Sequence, residues 1–218
     1  MNISSLREYR FPLMVAGLVT LMLMVGIPTH RLLRQRSVDS FNQTFYQTEQ
    51  MPATKPEDIS QKITAYRSLL NEYADLPAVG LIHFKLADLL VEQNKTDEAL
   101  KVLSDALANA KAADIFSTLL LFKQVALFKT SSRWEEALKA IDAQGSKVLP
   151  DFRERLELAR AGLLKSAGRK NEAKAIYEKL SVVKIEGVEK GVNLMDAFDP
   201  AVANEAREAL LQLELNVI

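Results

Sequence analysis

Residues 80–113 read GLIHFKLADLLVEQNKTDEALKVLSDALANAKAA. Leu86, Leu89 and Leu90, then Leu100, Leu103 and Leu107, recur at the three-to-four spacing of a buried helical face. Between the two sets, Asn94-Lys95-Thr96-Asp97 is turn chemistry, and Asp97 is expected to cap the second helix. Small residues at Ala87, Ala99 and Ala106 mark where two helices can approach closely. The stretch predicts a helical hairpin.

Worked outward, the hairpin repeats. An alanine follows an acid near the start of the second helix at Glu98-Ala99, Glu136-Ala137 and Glu172-Ala173, with spacings of 38 and 36 residues. Upstream, Ala65 lies 34 residues before Ala99 and extends the series. A polar turn precedes each of the later three: Asn94-Lys95-Thr96, Ser131-Ser132-Arg133 and Gly168-Arg169-Lys170. An apolar residue follows each alanine four positions on, at Leu69, Leu103, Ile141 and Tyr177. Periods in the mid-thirties built from helix–turn–helix units predict an all-α fold, a short α-solenoid.

Composition narrows the function. The 218 residues carry 28 Lys+Arg against 28 Asp+Glu, so net charge gives no reason to expect nucleic acid as a partner. No cysteine is present, which excludes disulfides, thiol catalysis and iron–sulfur ligation. Two histidines, His30 and His83, are too few and too far apart in sequence for a histidine-rich metal site. Phosphate-binding and nucleophile-elbow motifs are absent. The adjacent acids Asp97-Glu98 and Glu135-Glu136 point in different directions on a helix, and read as solvated helix starts favoured by the macrodipole. An enzyme is therefore not expected, nor is any cofactor or metal. His83 reads as a packing or groove residue, and Trp134 as packing on a neighbouring unit in preference to an interaction anchor.

Along the chain, residues 1–10 form a polar tail and residues 11–29 an uncharged apolar run flanked by arginines. About 1.5 Å of rise per residue makes that run long enough for a roughly 30 Å hydrocarbon core. No A-x-A site follows it, so a single uncleaved transmembrane helix fits better than a cleaved leader. The arginines on its two sides are nearly balanced, with Arg31, Arg34 and Arg36 tilting the count slightly toward a cytoplasmic C-terminal domain. Residues 30–58 read as a juxtamembrane helix and linker, with Val38, Phe41 and Phe45 as an apolar stripe that Tyr46 extends. Thr54 and Glu57 have capping-box spacing around Pro56. The helix from Ile59 to Tyr73 opens a repeat region over 59–181. Residues 182–218 are expected to form a loop and a capping helix, entered at Asp199-Pro200, with Ala206, Leu210 and Leu213 on its inner face.

Leu86-Ala87, Ala99 and Ala106, then Gly168 and Ala173, with Pro77 closing a unit, resemble the tetratricopeptide repeat signature. The middle unit departs from it at Gln124-Val125 and Gln144. With its short tail, membrane segment and spacer, the chain resembles the ancillary subunit of the bacterial Sec translocon, most strongly between Ala78 and Leu180. That resemblance implies a membrane-anchored protein–protein interaction scaffold of the bacterial inner membrane. Its repeat domain would be periplasmic, and its partners envelope or membrane proteins of translocation and chaperoning. The alternative is a structural or assembly subunit of another large inner-membrane complex. First helices line the concave face in tetratricopeptide arrays, so the resemblance implies groove positions at Leu81, Phe84, Lys85 and Asp88. On the next two units it adds Leu119, Phe122, Lys123, Ala126, Arg155, Leu158 and Gly162.

Overall fold

The computed structural model describes residues 32–181 and 200–215, and among the described residues the regular structure is helical, with no strand. Among these residues nine α-helices follow one another: α1 (32–50), α2 (Pro56–Glu72), α3 (Val79–Glu92), α4 (Thr96–Asn109), α5 (Ile115–Thr130), α6 (Trp134–Gln144), α7 (Arg153–Ser166), α8 (Lys170–Ser181) and α9 (Pro200–Leu215). The expected membrane segment at 11–29, His30, the loop at 182–199 and the Asp199 cap lie outside the described residues. No described helix is long and apolar enough to cross a membrane. Two compact units divide at Leu76/Pro77.

In the N-terminal unit, α1 and α2 pair through aromatic rings. Phe41, buried, stacks on Phe45 at 5.7 Å and meets the Tyr73 ring edge-on at 5.5 Å. Lys62 is also buried, and its ammonium donates to the carbonyls of Glu49 (2.9 Å) and Met51 (3.2 Å). The end of α1 thereby gains the cation that its dipole and orphan carbonyls favour. Three expectations need correction here. Val38 and Tyr46 are 37% and 65% exposed, so the stripe on α1 narrows to Phe41, Phe45 and Thr48. The start of α2 is held by Asp58, whose carboxylate accepts from the Lys55 N–H and the Thr54 hydroxyl (3.2 Å each), and not by Glu57. Ala65 falls in the third turn of α2 and is half-buried, whereas Ala99, Ala137 and Ala173 sit in first turns with no exposed surface.

The second unit stacks three hairpins, α3–α4, α5–α6 and α7–α8, and α9 packs on α8 and reaches α7. Val202, Ala203, Ala206 and Leu213 of α9 are buried and Leu210 is half-buried, so the last apolar face is covered as expected. The core is the predicted one: Leu86, Leu90, Leu103, Leu107 and Ile141 are each at most 1% exposed. Each such side chain contributes roughly 1.5–3 kcal/mol of burial.

One turn is used three times. Asn94 (φ 60°), Ser132 (φ 57°) and Gly168 (φ 81°) take the left-handed conformation that ends a helix. The following N–H then reaches back to close a Schellman pair: Lys95 to Leu90 (2.8 Å), Arg133 to Phe128 (2.9 Å) and Arg169 to Leu164 (2.8 Å). This turn starts α4 at Thr96, with Lys95 flanking it. Asp97 is thus inside the first turn and caps nothing, contrary to the sequence reading; its carboxylate pairs with Arg133 instead.

Two features lock the first hairpin to the second. A Cβ built on Gly80 would lie 2.4 Å from Cβ of Phe116, so only glycine lets α3 pass this close to α5. The connector between α6 and α7 folds back as two short 3₁₀ turns, Gly145–Lys147 and Pro150–Phe152. From it the Lys147 ammonium donates to the carbonyls of Leu107 and Ala108 at the end of α4. Buried Ser117 and Thr118 at the start of α5 satisfy its backbone: the Ser117 hydroxyl donates to Lys147 O (2.6 Å), and Leu149 N–H donates to the Thr118 hydroxyl (3.0 Å).

Candidate protein-binding face

The first helices of the three hairpins, α3, α5 and α7, carry every groove position implied by the sequence. None of these residues is in the core. Leu119 is 44% exposed, Ala126 and Arg155 are exposed, and Leu81, Phe84, Lys85, Asp88, Phe122, Lys123, Leu158 and Gly162 are half-buried. Phe84 and Phe122, 38 residues apart, are therefore not core residues. α3 packs directly on α5, which brings together the positions on those two helices.

Three of them meet. The Lys123 ammonium lies 5.0 Å from the centre of the Phe84 ring and forms an ion pair with the Asp88 carboxylate. Asp88 and Phe84 are one turn apart on α3, so a single lysine from α5 reaches both. The result is a half-buried aromatic ring with a paired cation against it. Such a surface can accept apolar side chains while offering one oriented charge pair.

On the edge of the array formed by the turns, a second set of charges repeats with the period of the fold, and it is the feature that reading individual motifs misses. Arg133 donates through Nε to Glu136 of its own hairpin (2.7 Å) and through Nη1 to Asp97 of the preceding one (2.5 Å). Arg169 does the same, 2.7 Å to Glu172 and 3.4 Å to Glu135. The guanidinium hydrogen bonds hold the Glu136 and Glu172 carboxyls below their ordinary range and raise both arginines. The adjacent acids are thus structural, rungs of a ladder between hairpins. The shared 36-residue offset of Arg133 and Arg169 is the signal that points to it.

His83 is half-buried on α3 and its Nδ1 has no hydrogen-bond partner. Burial lowers its pKa, opposed in part by the Asp105 carboxylate. Gln124, at the departure from the repeat signature, is buried with its side-chain oxygen unpartnered. Trp134 is half-buried at the first position of α6.

No curated protein and no solved structure matches the chain. The family profile of the tetratricopeptide repeat-like domain matches residues 6–192. Domains of this kind are typically non-catalytic scaffolds with protein partners, in keeping with a half-exposed aromatic face built on stacked hairpins. The chain belongs to the tetratricopeptide repeat-like domain family.

Proposed function

We propose that this protein is a membrane-anchored scaffold of the bacterial envelope, tethered by residues 11–29 and binding envelope or membrane proteins along α3, α5 and α7. The Phe84–Lys123–Asp88 cluster carries the reading: a half-buried ring beside an ion pair offers a partner both apolar surface and an oriented charge. The residues placed in contact with a partner are Leu81, Phe84, Lys85 and Asp88, then Leu119, Phe122 and Lys123, with Arg155 and Leu158 on the third hairpin. No nucleic acid, cofactor or reaction enters this role. The anchor confines the array beside the membrane and raises its effective concentration toward partners already there. A tail at 1–10, a linker and juxtamembrane helix at 30–58, repeats at 59–181 and a capping region at 182–218 complete the arrangement.

The uncharged run and repeat architecture together support a membrane-anchored protein similar to the ancillary subunit of the Sec translocon; that resemblance puts the repeats in the periplasm, against the slight tilt of the flanking arginines. Protease and thiol-reagent access to single introduced cysteines, from each side of sealed vesicles, tests the orientation. The native chain has no cysteine to confuse the result. Purification from native membranes then tests the partnership. Co-purification of an envelope protein, lost in the Phe84→Glu, Phe122→Glu double variant, is the expected result. Retention of that partner by the double variant refutes the groove.

A further inference from the structure

The two seams of the array fill one equivalent place with different side chains. Phe128 and Leu164 correspond, 36 residues apart, as do Ala140 and Ile176. In the first seam the ring of Phe128 is buried and the Arg133 guanidinium lies 5.0 Å from its centre. In the second seam Leu164 stands at the position of Phe128, and with Ile176 it lines a cleft of about 300 Å³ between α6, α7 and α8. Its floor is Leu138 and Leu164, both buried, with Ile176 half-buried beside them. Its rim carries Arg169 and Arg160.

Both rim arginines are already matched by carboxylates: Arg169 by Glu172 at 2.7 Å, and Arg160 by Asp142. An anionic ligand would have to displace those acids. What Arg169 lacks, relative to Arg133, is the ring, and among the described residues none lies against it. We infer that this cleft is a binding site for an aromatic side chain of the size of phenylalanine, presented by a protein partner. The inference rests on the reading of the chain as a protein-binding scaffold, but it uses a different face from the groove. An apolar space of about 150 Å³ already accepts a benzene ring, so the cleft is roomy enough. A ring seated on Leu138 and Leu164 under Arg169 would rebuild the arrangement the chain makes for itself around Phe128. The attraction is apolar burial plus a cation over the ring face.

The test uses the full chain in lipid nanodiscs, with labelled leucine and isoleucine methyl groups and N-acetyl-phenylalaninamide as the probe. Saturable upfield ring-current shifts at Leu138, Leu164 and Ile176 are expected at millimolar probe, and N-acetyl-leucinamide added at the same concentration should not displace the probe and reverse them. Leu164→Phe fills the cleft from within and should abolish the shifts. Ala175→Tyr, at an exposed lining position, should abolish them from the mouth and serves if the first variant does not fold. No saturable shift, or shifts that survive both substitutions, overturns the site. Failure of the Phe84 and Phe122 groove would show in partner co-purification while leaving these methyl shifts intact, so the two readings fail separately.

Discussion

The seam between the first and second hairpins and the seam between the second and third share their repeating parts and differ in particular residues between them. Both have a buried alanine in the first turn of the second helix, a left-handed turn residue, and an arginine bridging its own glutamate and an acid of the preceding hairpin. The first has Gly80 against Phe116, the Lys147 cap on α4 and the Lys123–Phe84 contact; the second has the cleft beside Leu164. The period specifies how hairpins stack. The residues that break the period specify what each seam exposes.

If stacking is uniform, equivalent core positions should cost alike. Leu103→Ala and Ile141→Ala should each lose about 2–5 kcal/mol in urea unfolding. Insensitivity at one of them would break the equivalence of the seams. Two glycines sharpen it next. At Gly80 the helix preference for alanine, about 1 kcal/mol, is outweighed by a clash with Phe116 Cβ costing roughly 1–3 kcal/mol, because that atom moves only with its backbone. At Gly162 an added Cβ meets only the Tyr177 hydroxyl at 3.9 Å, so Gly162→Ala should stabilise by about 0.5–1 kcal/mol. Thermal unfolding of the pair should shift in opposite directions.

The hairpins are legible in the sequence because apolar spacing and turn residues repeat over three copies, and the structure follows them from Leu86 to Tyr177. Ala65 misleads because spacing alone does not fix where a helix begins. With α2 starting at Pro56, the same residue type lands two turns further in. Asp97 misleads because the backbone of the turn closes the preceding helix and leaves the acid free to pair across the seam. The groove residues are legible as positions, since helical period and repeat offset place them together. The Lys123 contact and the cleft are not, since they depend on side-chain lengths and volumes summed across three helices.

Smaller effects probe the shared turn. Ser132→Gly should stabilise by about 1 kcal/mol, Asn94→Gly by less because asparagine tolerates the left-handed region, and Gly168→Ala should destabilise; chemical unfolding of the three variants reads the order. The pH response is smaller still. His83 binds its proton more weakly folded than unfolded, so its contribution is whole above the ordinary value of about 6.5 and is lost as pH falls below it. His83→Gln should remove that slope. The depressed Glu136 and Glu172 carboxyls add a second loss below about pH 4.3, which Arg133→Gln should reduce.

The central claim is that Phe84 on α3 and Phe122 on α5 face a partner, while exposed Lys101 on α4 and Lys139 on α6 do not. Photo-crosslinking in native membranes tests it most directly, with probes placed singly at Phe84 and Phe122 and, as the matched pair on the second helices, at exposed Lys101 and Lys139. The account predicts that Phe84 and Phe122 capture the same protein reproducibly and that Lys101 and Lys139 do not. Equal capture from both pairs, or none from the first, would contradict it.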